Sequence, residues 1–192
     1  MKNRISRRLG GFTLVELLVV IAIIAVLASA GFAAGNAAIQ KARRTSALST
    51  AVALETAVNN FYTEYGSMPT EGDQDTKVIQ TNTDVNFLRV LLGMETTLNT
   101  RGIKFLSVKE GKGNKNGLIY SGNGSTVQAL YDPWGGPYHV AVDLNYDERI
   151  EVTPSAGGKT TLNGRRVAVW SNGSDGVKGG GKAADDVKTW GN

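Results

Sequence analysis

Apolar and polar positions alternate in three different ways along the chain. From Phe12 to Gly35 nearly every residue is apolar, and no charge occurs between Glu16 and Lys41. Roughly 20 such residues suffice for a helix to cross a hydrocarbon core of ~30 Å, so a membrane span over about 14–36 is predicted. From Lys41 to Tyr65 the apolar residues thin to one seam, with Ala47, Ala51, Leu54, Val58, Phe61 and Tyr65 spaced 4, 3, 4, 3 and 4 apart. That is helical periodicity with one buried side, and Gly66 and Pro69 end it. A helix over residues 12–65 would be about 80 Å long at ~1.5 Å per residue.

Beyond Tyr65 the pattern breaks into short pieces. Residues 66–84 are polar and turn-rich, and Phe87–Met94 reads as a short helix. Strand-like runs follow at Ile103–Val108, Leu118–Tyr120, Tyr138–Val142, Arg149–Val152 and Arg166–Trp170, separated by turns rich in Gly, Asn and Lys. The expected fold is α+β: a long N-terminal helix whose second half packs on a small antiparallel sheet. The predicted division is a basic leader at 1–11, a helix at 12–65 and a globular head at 66–192.

Charge changes this picture at one end only. Lys2, Arg4, Arg7 and Arg8 account for four of the 21 basic residues, and the remaining 17 match the 17 acids. The basic character therefore belongs to the tip, and global charge gives no reason to expect a nucleic-acid partner. A basic cluster before an apolar helix is expected to stay cytoplasmic, placing the head on the other side. With no cysteine and a single histidine, His139, disulfide scaffolds, Cys/His zinc sites, thiol nucleophiles and catalytic triads with a spare histidine are excluded. The composition does not point to an enzyme.

Glu16 is costly where it stands, by up to ~3 kcal/mol at mid-bilayer. It could snorkel to the interface. It could also be neutralised by a new α-amine at Phe12, if the chain were cut after Gly11. Gly11-Phe12-Thr13-Leu14-Val15-Glu16 behind a short basic leader resembles the class III signal of type IV pilins and type II secretion pseudopilins. The resemblance implies a type IV pilin-like fold, cleavage by a prepilin peptidase after Gly11, N-methylation of Phe12, and a role for Glu16 in assembling a helical homo-oligomeric fibre. Two other export patterns are present: Ser6-Arg7-Arg8 as a twin-arginine fragment and Ala28-Ser29-Ala30 as an A-x-A cleavage site. Neither accounts for Glu16 or the Gly-Phe junction. Gly31 and Gly35 fit a small-residue helix-packing pattern, a weak signal.

Two clusters in the head extend the resemblance. Asp132-Pro133-Trp134-Gly135-Gly136-Pro137-Tyr138 reads by its residues as a structural turn, with His139 as a strand residue after it. It is similar to the Asp-Pro-Trp-Gly-x-Pro-Tyr motif of major pseudopilins. Ser171–Lys182 carries five glycines in twelve residues and is bracketed by acids, a composition suited to a hard cation such as calcium, which takes 6–8 oxygens in flexible geometry. It resembles the calcium loop of those proteins. On that resemblance Asp175 and one of Asp185 and Asp186 give side-chain oxygens, and carbonyls near Asn172 and Val177 complete part of the shell; an unmetallated turn pinned by Trp190 is the alternative. Lys182 departs from the usual loop. Gly176–Lys182 also approaches a phosphate-binding loop, but Ala183 stands where a Ser or Thr is needed and too little chain follows. Asp143, Asn145 and Asp147 match the opening of an EF-hand loop, yet Glu148 and Pro154 occupy its glycine and glutamate positions, so a polar turn is preferred to a second calcium site.

The sequence reading is thus a pseudopilus subunit of a type II secretion system. It would be a single-pass inner-membrane protein with a cytoplasmic N-terminus and a periplasmic head, meeting minor pseudopilins and an inner-membrane assembly platform. A type IV pilin or minor pilin for adhesion, motility or DNA uptake is one alternative; a signal-anchored periplasmic binding protein is another.

Overall fold

A computed structural model describes residues 11–192 except 73, 74, 76, 77, 123, 153–158, 178–185 and 192. The side chains of Ala30 and Ala33 are likewise outside the description. Contacts divide the chain after Lys41. In the first unit the described residues from Leu14 onward form the opening part of α1 (Leu14–Tyr65). Its large apolar residues, Phe12 through Ile39, are all exposed. Among the described helices, α1 alone is long and apolar enough to cross a membrane.

The second unit, residues 42–192, holds the core. The seam of α1 supplies Ala47, Ala51, Leu54, Val58 and Phe61, none of which retains any exposure. Ala57 joins them, and Tyr65 packs half-buried at the end. Gly66, at φ +69°, then turns the chain out of the helix. The seam packs against α2 (Val85–Leu91), where Phe87, Leu88, Val90 and Leu91 are buried.

The remaining elements are strands: β1 (Ile79–Gln80), β2 (Gly117–Tyr120), β3 (Val127–Tyr131), β4 (Tyr138–Val142), β5 (Arg149–Val152), β6 (Thr160–Asn163), β7 (Val167–Ser171) and β8 (Val187–Lys188). They form one four-stranded sheet in the order β1-β4-β7-β8 and two hairpins, β2-β3 and β5-β6, all antiparallel. This is the α+β architecture the pattern predicts. Buried Thr81 joins the β2-β3 hairpin to the main sheet: its hydroxyl donates to the Leu130 carbonyl at 2.6 Å and accepts from the Tyr138 amide at 2.9 Å.

One expected strand is absent. Ile103–Val108 has no ladder; instead the amides of Phe105 and Leu106 both donate to the Leu91 carbonyl at 2.9 Å. The segment satisfies the open C-terminal end of α2, and Leu106 is buried beneath it. A tight approach makes this possible: a Cβ on Gly93, which sits at φ +72°, would lie 2.5 Å from the Gly102 carbonyl oxygen. The backbone there needs glycine.

Asn99 holds the same corner. Its amide nitrogen donates to the carbonyls of Val90 (2.8 Å) and Ile103 (2.7 Å), and its oxygen accepts from the Ile103 amide and the Tyr65 hydroxyl. All of its polar capacity is used while it is fully buried.

Candidate functional site

The N-terminal junction is built from consecutive residues. Gly11 and Phe12 precede α1 in irregular, exposed backbone, the condition under which a peptidase can reach a peptide bond. Thr13 and Glu16 then close on each other. The Glu16 carboxylate accepts from the Thr13 amide and hydroxyl, both at 2.8 Å, while the Thr13 hydroxyl accepts from the Glu16 amide at 3.2 Å. This reciprocal pairing is a capping box, and it satisfies amides at the helix start that lack intrahelical partners. Thr13 solvates the Glu16 carboxylate without neutralising it, and the Thr-x-x-Glu spacing is the local signal for this pairing.

The turn at Asp132 is organised by its carboxylate. Oδ1 accepts from the amides of Trp134, Gly135 and Gly136 at 2.8, 2.7 and 2.8 Å, and Oδ2 accepts from the buried Ser171 hydroxyl on β7. Three amides on one oxygen anchor a buried charge. Tyr138 follows it into β4, and its hydroxyl donates to the Ala47 carbonyl of α1 at 3.3 Å. Burial pushes the Tyr138 phenol far above its ordinary value, with lesser opposing and reinforcing effects from Thr50 and Asp132. Trp134 is only half-buried, so Asp132 and Tyr138 anchor the turn. His139 stacks on Trp170, with ring centroids 5.3 Å apart, and Trp190 meets Trp170 edge-on at 5.7 Å.

β7 leads directly into the glycine-rich loop. Because Ser171 pairs with Val187, the antiparallel register sets Asn172 opposite Asp186. The Asn172 side-chain oxygen is buried and accepts no hydrogen bond, and Asp186 is buried at 8% exposure. A cation would satisfy such an oxygen. Asn172 thus carries a second candidate oxygen, on its side chain, beside the backbone carbonyl expected there. Asp175 is exposed in the turn after Asn172, and its Oδ1 accepts from the Val177 amide at 2.9 Å. Val177 is exposed as well. Asp185 lies outside the described residues.

The Asp143–Asp147 turn draws in a residue from far away in sequence. The carboxylate oxygens of Asp75, Asp143 and Asp147 lie within 4.8 Å of one another. Asp75 accepts from the amides of Leu144 (2.6 Å) and Asn145 (3.2 Å), and Asp143 accepts from those of Asp147 (3.2 Å) and Glu148 (2.8 Å). Asp143 fastens its own loop, as in a polar turn, and Asp75 ties that loop to a distant segment. No local signal in the sequence links Asp75 to this turn.

Residues 6–32 match the family model of the prokaryotic N-terminal methylation motif. That motif is the type IV pilin-like prepilin signal, and the exposed apolar helix stands directly behind it. No curated protein and no solved structure matches the chain. The motif and the helix fit a membrane-anchored single-pass protein and point to a structural role.

Proposed function

We propose that the chain is a subunit of a periplasmic pseudopilus in a type II secretion system, cut after Gly11, N-methylated on Phe12 and polymerised through its N-terminal helix. The observation that carries this is the methylation motif joined to a helix whose large apolar residues from Phe12 to Ile39 are all exposed. That surface needs either lipid or other helices around it. Cleavage places a positive amine four residues before Glu16, where it competes with Thr13 for the carboxylate of its own or a neighbouring chain. The Asp132–Tyr138 turn supports the pseudopilus branch over a surface pilus, through its similarity to the major pseudopilin motif.

Calcium belongs to the same proposal. Asn172, through its buried side-chain oxygen, and the carboxylates of Asp175 and either Asp185 or Asp186 would hold it, with a carbonyl near Val177. Bound there, the ion supplies a fixed positive charge that draws these oxygens together and rigidifies a glycine-rich loop. The deciding measurement is the intact mass and N-terminal sequence of the protein from its native membrane, with secretion followed in cells lacking the gene. A chain beginning at N-methyl-Phe12, together with loss of exoprotein secretion on deletion, is expected. A chain retaining Met1 or starting near Gly31 would overturn the assembly reading, and intact secretion would overturn the pseudopilus assignment.

A further inference from the structure

Among the described residues, two clusters of opposite charge stand at different levels of the head. Four ion pairs occur among the described residues: Arg101–Glu64, Lys159–Glu151, Arg165–Glu55 and Arg166–Glu148. One end, at the level of Ser46 on α1, is basic. There the Ser46 hydroxyl donates to Asn116 at 3.2 Å and accepts from the Lys109 ammonium at 3.5 Å, holding the loop 109–116 against the helix. Arg43, Arg44, Lys109, Lys112 and Lys115 are all exposed around that point. Glu110 is the one acid in the loop. Asp175 and Asp186, beyond β7, are the groups assigned above to calcium, which would cancel them.

The other end, at the level of Tyr62, is acidic. Tyr146 lies 6.1 Å from Tyr62, ring to ring, and its loop carries the convergent carboxylates of Asp75, Asp143 and Asp147. Glu71 adjoins them, since a Cβ on Gly72 would lie 3.2 Å from Leu144. Among the described cations beside this turn, Arg166 is engaged by Glu148 and sits over the Tyr62 ring at 4.8 Å, and Arg149 adjoins Glu148 in sequence.

Ser46 and Tyr62 are separated by about 24 Å along α1, at ~1.5 Å per residue. Charges in physiological salt are screened beyond ~8 Å, so the two ends cannot neutralise each other within one molecule. A second molecule in contact can do so. A surface that fits a different surface of an identical copy is heterologous, and repetition of such a contact builds an open filament.

We infer that the basic end of one head, centred on Lys109, Lys112 and Lys115, docks on the acidic end of a second copy, centred on Glu71, Asp75 and Asp147. This rests on the fibre reading above and names the head contact within it. The test uses the full chain, processed in cells, in two charge-reversed forms. One carries Lys109→Glu, Lys112→Glu and Lys115→Glu; the other carries Glu71→Lys and Asp147→Lys. Each alone is expected to lose fibre mass by about tenfold or more, since like charges are brought together. Co-expressed, they are expected to restore fibres containing both, because each presents the end the other lacks.

Normal fibres from either form alone overturns the inference, as does failure of the pair to co-assemble when both retain wild-type melting temperatures. Should a form not fold, wild-type fibres decide. Raising salt from about 0.05 M to about 0.5 M is expected to shorten them, given the screening of exposed charges, and indifference to salt overturns the inference. Absence of fibres from wild type would instead sink the assembly reading itself.

Discussion

Residues Leu14–Gln40 and Ala42–Tyr65 of α1 share a backbone conformation and differ in where their apolar side chains go. In the first stretch all the large ones are exposed; in the second a seam of Ala47, Ala51, Leu54, Val58 and Phe61 loses all exposure, while Leu48 and Val52 on the other side stay exposed. The contrast shows that one helix can serve two solvents. Where apolar residues occupy every side, no arrangement of this chain alone can bury them. Where they recur every three or four positions, a sheet and a second helix cover them. The first stretch is therefore specified for surroundings outside the chain, and the second for the chain itself.

Substitutions can break that contrast at each end. The largest effect is expected from Glu16→Ala, which should insert into membrane normally and yield no fibres; electron microscopy of sheared cells alongside membrane fractionation reads both. Fibres of normal length from this variant would remove Glu16 from assembly. Next, Phe61→Ala should cost the head about 3–5 kcal/mol, as for other buried aromatics, while Ile24→Ala should leave head stability within about 0.5 kcal/mol. Thermal melting of the two proteins sharpens the comparison, and equal shifts would refute it.

Calcium comes third. At about a hundredfold excess over its dissociation constant it should add about 2.7 kcal/mol to the folded head, an increment that Asp186→Asn should remove; an unchanged melting temperature on chelation of wild type would exclude the site. The smallest effect belongs to Tyr138→Phe, about 1 kcal/mol for one hydrogen bond. Because folding raises this phenol's pKa, its contribution is complete below the unfolded value of about 10 and is lost as pH climbs above it. Stability of the variant should therefore fall less steeply than wild type above about pH 10, as read by alkaline denaturation; parallel curves would show that Tyr138 does not carry the effect.

Much of the fold was legible where a single physical signal dominated. β4 and β5 coincide with the runs read from the sequence, since Tyr138–Val142 and Arg149–Val152 are bounded by turn residues and rich in residues that fit a half-buried sheet. β1 and β8 have two residues each and were invisible, because pairing partners rather than their own side chains define them. Ile103–Val108 was misread for a related reason: its apolar residues face the core as a strand's would, but its amides serve the end of α2. At the candidate sites, local spacing sufficed for Thr13 and Glu16 and for the Asp132 turn. It could not reveal Asp75, whose hydrogen bonds to Leu144 and Asn145 span about seventy residues of chain.

Two tyrosine hydroxyls, one on β4 and one on α1, tie the helix to the head, with a mechanical consequence. Tyr138 reaches the helix at Ala47, and Tyr65 leaves it for Asn99, so the sheet and the α2 corner are tethered to the helix at points about 27 Å apart at ~1.5 Å per residue. A pull along the helix axis would load both tethers in shear at once, with the buried seam between them, and would not peel one bond after another. Residues 47–65 of the helix and the sheet they carry would therefore bear such a load as one piece.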